Sequence, residues 1–202
     1  MMFNKVFLLV CCGFVFAVAK PQRGFDGGLL LGLCAAQIDG DNYKGYNKAG
    51  LVAGGYVSRY FNNKYGAKME LKFIGKGASK PVTEQNPRVY KVVLNYVSLP
   101  LLLMYRFNDK LSFDIGAENS ILIKAKEDLD GGGFTEPLDG PYEQYELAGI
   151  FGVNYNFSKK FAVNLSHGYS FTPIGRHPGG QTHFTDKGLN NRYALLTLQY
   201  KL

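Results

Sequence analysis

Ser166, His167 and Ser170 are the side chains of this 202-residue chain that best match a nucleophile and its general base. A serine attacks a carbonyl when a histidine takes its proton, which requires the two groups about 2.6–3.2 Å apart. These residues lie in a stretch, 161–172, that alternates strictly. Phe161, Val163, Leu165, His167, Tyr169 and Phe171 share one parity, and Ala162, Asn164, Ser166, Gly168, Ser170 and Thr172 share the other. Side chains alternate across a β-strand. His167 therefore points away from both serines, and no catalytic pair forms within the strand. His177 and His183 share a later segment, but no Cys or carboxylate stands at ligand spacing, so a zinc site is not implied. The run Glu127, Asp128, Asp130, Glu136, Asp139 and Glu143 is acidic, as is Asp39-Gly-Asp41-Asn42, yet neither has the spacing of a calcium loop. Both read as solvated loops. No catalytic, metal-binding or cofactor-binding residue is assigned, and no cofactor is implied.

The element that carries His167 is itself informative. A regular alternation of twelve residues exceeds the usual strand of about 5–6. It matches the roughly 9–11 tilted residues of a membrane-spanning strand. One face is large and apolar and the other small and polar, as expected for a wall between lipid and a barrel interior.

The rest of the chain repeats this unit. Arg59-Tyr-Phe-Asn-Asn-Lys64, Tyr105-Arg-Phe-Asn-Asp-Lys110 and Tyr155-Asn-Phe-Ser-Lys-Lys160 share one form, aromatics followed by a polar turn ending in Lys, and recur every ~46–50 residues. The C-terminal Gln199-Tyr-Lys-Leu202 resembles the same strand end without its turn. Each interval holds two strands and one longer loop. Eight strands are predicted, at 27–38, 49–61, 65–75, 92–107, 111–124, 145–157, 161–172 and 191–202. Short turns at 62–64, 108–110 and 158–160 alternate with longer loops near 39–48, 76–91, 125–144 and 173–190. That alternation predicts a single closed, antiparallel, eight-stranded transmembrane barrel with short periplasmic turns and longer outer loops.

The faces agree. Tyr65, Ala67, Met69, Leu71 and Phe73 are expected outside, and Lys68, Glu70 and Lys72 inside. Phe113, Ile115, Ile121 and Ile123 are expected outside, and Asp114, Glu118 and Lys124 inside. Inward charges are tolerable if Lys68, Lys72 and Arg106 pair with Glu70, Asp114 and Glu118, because an isolated buried charge is costly. Large charged residues fill an eight-stranded interior, which argues for a plugged lumen over a general pore. Two strands fit less well. Arg59 is out of phase in the second strand, and Pro100 interrupts the fourth; each suggests a bulge or local break. The second loop reads as basic, with Lys76, Lys80, Arg88 and Lys91 against Glu84, suited to lipopolysaccharide phosphates.

Composition is consistent with this. Hydrophobic residues make up 46%, yet no run approaches the ~18–20 residues of a spanning helix. Residues 1–19 have the layout of a secretory signal peptide: Lys5, an apolar core, then Ala17-Val18-Ala19. The expected domains are thus signal 1–19 and barrel 20–202. After cleavage only Cys34 remains, so no internal disulfide forms. The net charge of +7 is scattered rather than clustered with aromatics, which argues against a nucleic-acid partner.

The segment Tyr96-Val-Ser-Leu-Pro-Leu-Leu-Leu-Met-Tyr-Arg-Phe107 resembles the most characteristic stretch of the Bacteroidetes-type outer-membrane β-barrel family that includes PorT. Gly116-Ala-Glu-Asn-Ser-Ile-Leu122 and His167-Gly-Tyr-Ser-Phe-Thr-Pro-Ile-Gly175 are similar to its later strands. Ser98 stands where that family commonly has Glu. The resemblance covers essentially the whole mature chain and implies an eight-stranded barrel in the outer membrane. Two roles are expected to compete. One is a non-enzymatic structural or accessory barrel, with outer-membrane lipid, lipopolysaccharide and an outer-membrane or periplasmic protein as partners. The other is a lipid A-modifying enzyme using His167 or His177 with a serine. A soluble lipocalin-like binder is a third, disfavoured by the apolar outward faces.

Overall fold

The computed structural model describes residues 24–41, 43, 45–80, 82, 89–137, 142–175 and 188–202. The expected export signal at 1–19, together with His177 and His183, lies outside the described residues.

Eight strands follow in order: β1 (Asp26–Asp39), β2 (Lys48–Tyr60), β3 (Tyr65–Lys80), β4 (Tyr90–Arg106), β5 (Leu111–Asp128), β6 (Tyr145–Asn156), β7 (Phe161–Ser170) and β8 (Asn190–Lys201). Each pairs antiparallel with the next, and β1 pairs with β8 from Gly28↔Lys201 to Asp39↔Asn190, so the sheet closes on itself and leaves no edge.

The three repeated turns close by one device. Asn62 Oδ1 accepts from the backbone N–H of Lys64 and Tyr65 at 2.8 Å each. Asn108 Oδ1 accepts from Lys110 at 2.9 Å and Leu111 at 2.8 Å. Ser158 Oγ accepts from Lys160 at 3.2 Å and Phe161 at 2.9 Å. A short side-chain acceptor at the first turn position satisfies the donors that the tight reversal strips from the ladder.

Period-two alternation holds around the barrel. Leu31, Leu103 and Ile115 are about two-thirds exposed on the outside, while Val52, Ile74, Leu94, Tyr96, Tyr193 and Leu195 are buried within. A soluble domain of this size would bury its leucines rather than display them as a continuous belt.

Four details depart from the sequence-based expectation or sharpen it. First, β3 and β5 run further than predicted, to Lys80 and Asp128, so Lys76 is a strand residue and not part of a basic loop. Cross-strand pairing with β4 from Lys80↔Tyr90 carries the ladder past the apolar band. Second, β2 has no bulge. Its register is constant with β1 from Lys48 to Ser58 and with β3 from Val52 to Tyr60, and Arg59 stays on the outward face with its guanidinium over the Phe25 ring at 5.0 Å. Third, Pro100 brings the expected local break in the β4 ladder but no bulge. The ladder with β3 reaches Met69↔Leu101 and resumes in the same register at Lys72↔Ser98. Fourth, the bulge lies elsewhere: Asn95 pairs with Lys124 and Tyr96 with Leu122, so Ile123 is an extra residue in β5. A bulge moves every later side chain to the opposite face. Lys124 is consequently exposed on the outside rather than in the lumen.

Candidate functional site

The lumen-facing side of β3 carries Lys68, Glu70, Lys72 and Lys76, brought inward by their even spacing. Their partners come from neighbours across the lumen, Asp114 and Glu118 of β5 and Glu146 of β6. Lys68 bridges Asp114 and Glu70, the latter at 3.3 Å. Lys72 Nζ lies 3.2 Å from Glu70 Oε2 and 3.0 Å from Glu118 Oε2. Lys76 Nζ lies 3.0 Å from Glu118 Oε1 and 3.0 Å from Glu146 Oε1. The result is one continuous ladder, Asp114–Lys68–Glu70–Lys72–Glu118–Lys76–Glu146, all buried. Burial of so many charges is sustainable because each has at least one opposite partner.

Two tyrosines bind the ladder to the upper lumen. Tyr193 Oη donates to Glu118 Oε1 at 2.7 Å, and its ring lies 4.0 Å from Lys76 Nζ. Tyr96 is 5.1 Å from the same ammonium and accepts from Asn191 Nδ2, which also donates to Glu146 Oε2 at 2.8 Å. Ser98 and Ser120 bond each other at 2.7 Å, a neutral contact inside the barrel.

The expected pairing of Lys68 and Lys72 with Glu70, Asp114 and Glu118 is thus present. Arg106 does not join it; its guanidinium stacks 3.8 Å over the Tyr60 ring. Lys76 and Glu146 take part instead. In the predicted strand 145–157, Glu146 has the parity opposite to Leu147 and Phe151 and so points inward, whereas Lys76 was hidden by the expectation that β3 ends at 75.

Open space is uneven. Beside Glu70, Lys72 and Asp114 the lumen holds a cavity of about 10 Å³, no more than one water. At the end bearing the short turns it widens to about 270 Å³ between Tyr56, Lys68, Arg106, Ser112 and Gln199.

The other candidates separate. His167 faces outward, where Tyr46 Oη lies 3.0 Å from Nε2 and the Phe151 ring 5.5 Å away. Ser166 and Ser170 are buried on the lumen side, and Ser170 Oγ accepts from the Asn191 N–H. Asp39 pairs with Arg192, and Asp41 accepts from the Tyr43 N–H at 2.8 Å. In the acidic segment, Asp128 and Asp130 accept from the N–H groups of Gly131 and Gly132, and Glu127 accepts from the Tyr142 hydroxyl. These carboxylates shape turns. Asn42 and Asp139 lie outside the described residues.

A family model described as outer membrane protein beta-barrel domain matches residues 16–176. No curated protein matches the chain in sequence. Among solved structures, the chain is similar to Ail, the attachment invasion locus protein of Yersinia pestis, solved in complex with the heparin analogue sucrose octasulfate. The two are 17% identical with a TM-score of 0.52, over 89% of this chain and 100% of that one. It is also similar to Neisserial surface protein A, 12% identical with a TM-score of 0.54, over 89% of this chain and 98% of that one. At these identities the likeness concerns the fold.

Proposed function

Because this chain belongs to the outer membrane protein beta-barrel domain family, we propose that it is a non-enzymatic barrel whose lumen is plugged and whose outer loops or lipid-facing wall hold a partner. The observation that carries this reading is the continuous ion-pair ladder from Asp114 to Glu146, with Tyr96 and Tyr193 above it. Opening a path through it would strip partners from at least one buried charge. The opposed faces of His167 and the two serines support the absence of an acyl-transfer centre in β7. Residues 1–19 serve as an export signal that is removed, and the segment 96–107 supports a place beside PorT within the family. The partners are outer-membrane lipid, lipopolysaccharide and a protein of the outer membrane or periplasm.

Planar-bilayer recording tests the plug. The purified barrel is expected to insert without a steady conductance at neutral pH. A sustained open level in most insertions would overturn the plugged-lumen reading. Isolation of the tagged chain from outer membranes in mild detergent tests the accessory role, which requires a stoichiometric companion protein. Recovery of the barrel alone would count against it.

A further inference from the structure

The outer wall of β4 and β5 changes character at the Ile123 bulge. Below it, outward residues pair as Tyr105↔Phe113, Leu103↔Ile115, Leu101↔Ala117, Leu99↔Asn119 and Val97↔Ile121. Above it the pairs are Asn95↔Lys124, Val93↔Lys126 and Lys91↔Asp128. A strip that is apolar but for Asn119 thus gives way in one step to one bearing three lysines. Among the described residues none of the three is in an ion pair, and Lys91 and Lys124 are exposed. Asp128, cross-strand from Lys91, is buried and accepts from the Gly131 N–H.

The height of this change is the second observation. From Tyr105 to Asn95 is ten residues, roughly 33 Å along a strand. A tilt of about 40° reduces that to roughly 25 Å, the height of the lipid-facing apolar band of such barrels. Tyr65 and Tyr105, with ring centroids 5.4 Å apart, and Phe107 and Phe113 mark the lower boundary. Tyr145, opposite Ile121 and strongly exposed, marks the upper one, as expected of aromatics at a membrane interface. Lys124, Lys126 and Lys91 therefore stand just above the hydrocarbon, at the depth of headgroup phosphates. Lysine stems can lie along apolar surface while the ammonium groups reach those phosphates.

We propose that Lys91, Lys124 and Lys126 form a binding strip for the phosphates of the outer-leaflet glycolipid, of lipid A type. The strip rests on the reading that the barrel spans an outer membrane, and it names the lipid partner of its wall. The bulge makes the strip: were Ile123 paired regularly in the ladder, Lys124 and Lys126 would turn into the lumen. Of the residues expected in a basic loop, Lys76, Lys80 and Lys91 thus stand in strands, while Glu84 and Arg88 lie outside the described residues.

Native mass spectrometry of the full mature chain, folded in detergent with bis-phosphorylated lipid A, tests the strip. The K91A/K124A/K126A variant is expected to bind it about a hundredfold more weakly at low salt, from roughly tenfold or less per lysine. None of the three side chains is buried, which keeps this variant foldable, and its heat-modifiable gel migration verifies that. A K159A/K160A variant at the opposite end is expected to bind as the parent does. Dephosphorylated lipid A is expected to bind parent and triple variant alike. Equal retention of lipid A by parent and triple variant, within about twofold, would overturn the proposal, as would phosphatidylglycerol competing equally at equal concentration. Bilayer insertion of the parent, measured in parallel in vesicles, separates the two levels. A chain that fails to insert removes the spanning reading and the strip with it, whereas insertion with equal retention removes the strip alone.

Discussion

Lys76 and Glu118 meet inside the barrel with Nζ 3.0 Å from Oε1, and neither side chain has any exposed surface. Glu118 also takes the Tyr193 hydroxyl and the Lys72 ammonium, which makes it the most heavily used carboxylate of the ladder. Replacing it with Ala leaves two buried lysines short of a partner. The expected loss is about 3–5 kcal/mol, read as a lower urea midpoint for unfolding from lipid vesicles. An unchanged midpoint would show that the ladder is not a supporting structure.

Gly168 is the lumen position against which Tyr193 rests; a Cβ there would lie 2.2 Å from the Tyr193 ring. Gly168→Ala must therefore push the ring aside and lengthen its bond to Glu118. Overpacking of this kind costs roughly 1–3 kcal/mol. Gly55, where a Cβ would lie no nearer than 3.4 Å to any neighbour, provides the control, and Gly55→Ala should fall within the noise of the same assay. Equal effects at both sites would contradict the packing described.

Leu101 is exposed on the outer wall, about midway up the apolar band. In water, Leu101→Arg would be nearly silent. At a bilayer midplane an arginine costs about 2–4 kcal/mol, so the vesicle-folded variant should unfold at distinctly lower urea. A silent substitution would favour a soluble barrel.

Asp41, beyond the end of β1, is buried, and that burial raises its carboxyl above the ordinary value, against the opposing effect of the Tyr43 N–H. The folded chain then binds a proton that the unfolded chain has already released. Between the ordinary value of about 3.9 and the raised one, this group's contribution to stability increases as pH falls. Asp41→Asn keeps the Oδ1 acceptor and removes the charge. The variant should be at least as stable as the parent at neutral pH and should lack the parent's gain on mild acidification. Identical pH profiles in the two proteins would remove Asp41 as their cause.

The number of strands, their order and nearly all their faces were legible in the chain itself. The alternation in 161–172, the thrice-repeated turn ending in Lys and the inward parity of Lys68, Glu70, Lys72, Asp114 and Glu118 are local properties. Each strand must present one face to lipid and one to the lumen, and that requirement is written residue by residue. What the chain alone left open depended on partners distant in sequence. Ile123 is extra only relative to Asn95 and Tyr96 on the preceding strand, β4, so the outward turn of Lys124 and Lys126 could not be read from β5 by itself. Lys76 became a lumen residue because pairing with β4 extends β3 to Lys80, and its partners Glu118 and Glu146 lie 42 and 70 residues away. Arg106 left the ladder for the Tyr60 ring, a neighbour that β2 brings to the barrel mouth. Alternation is fixed by backbone geometry within a strand; register, bulges and ion-pair choice are fixed between strands, and only barrel closure decides them.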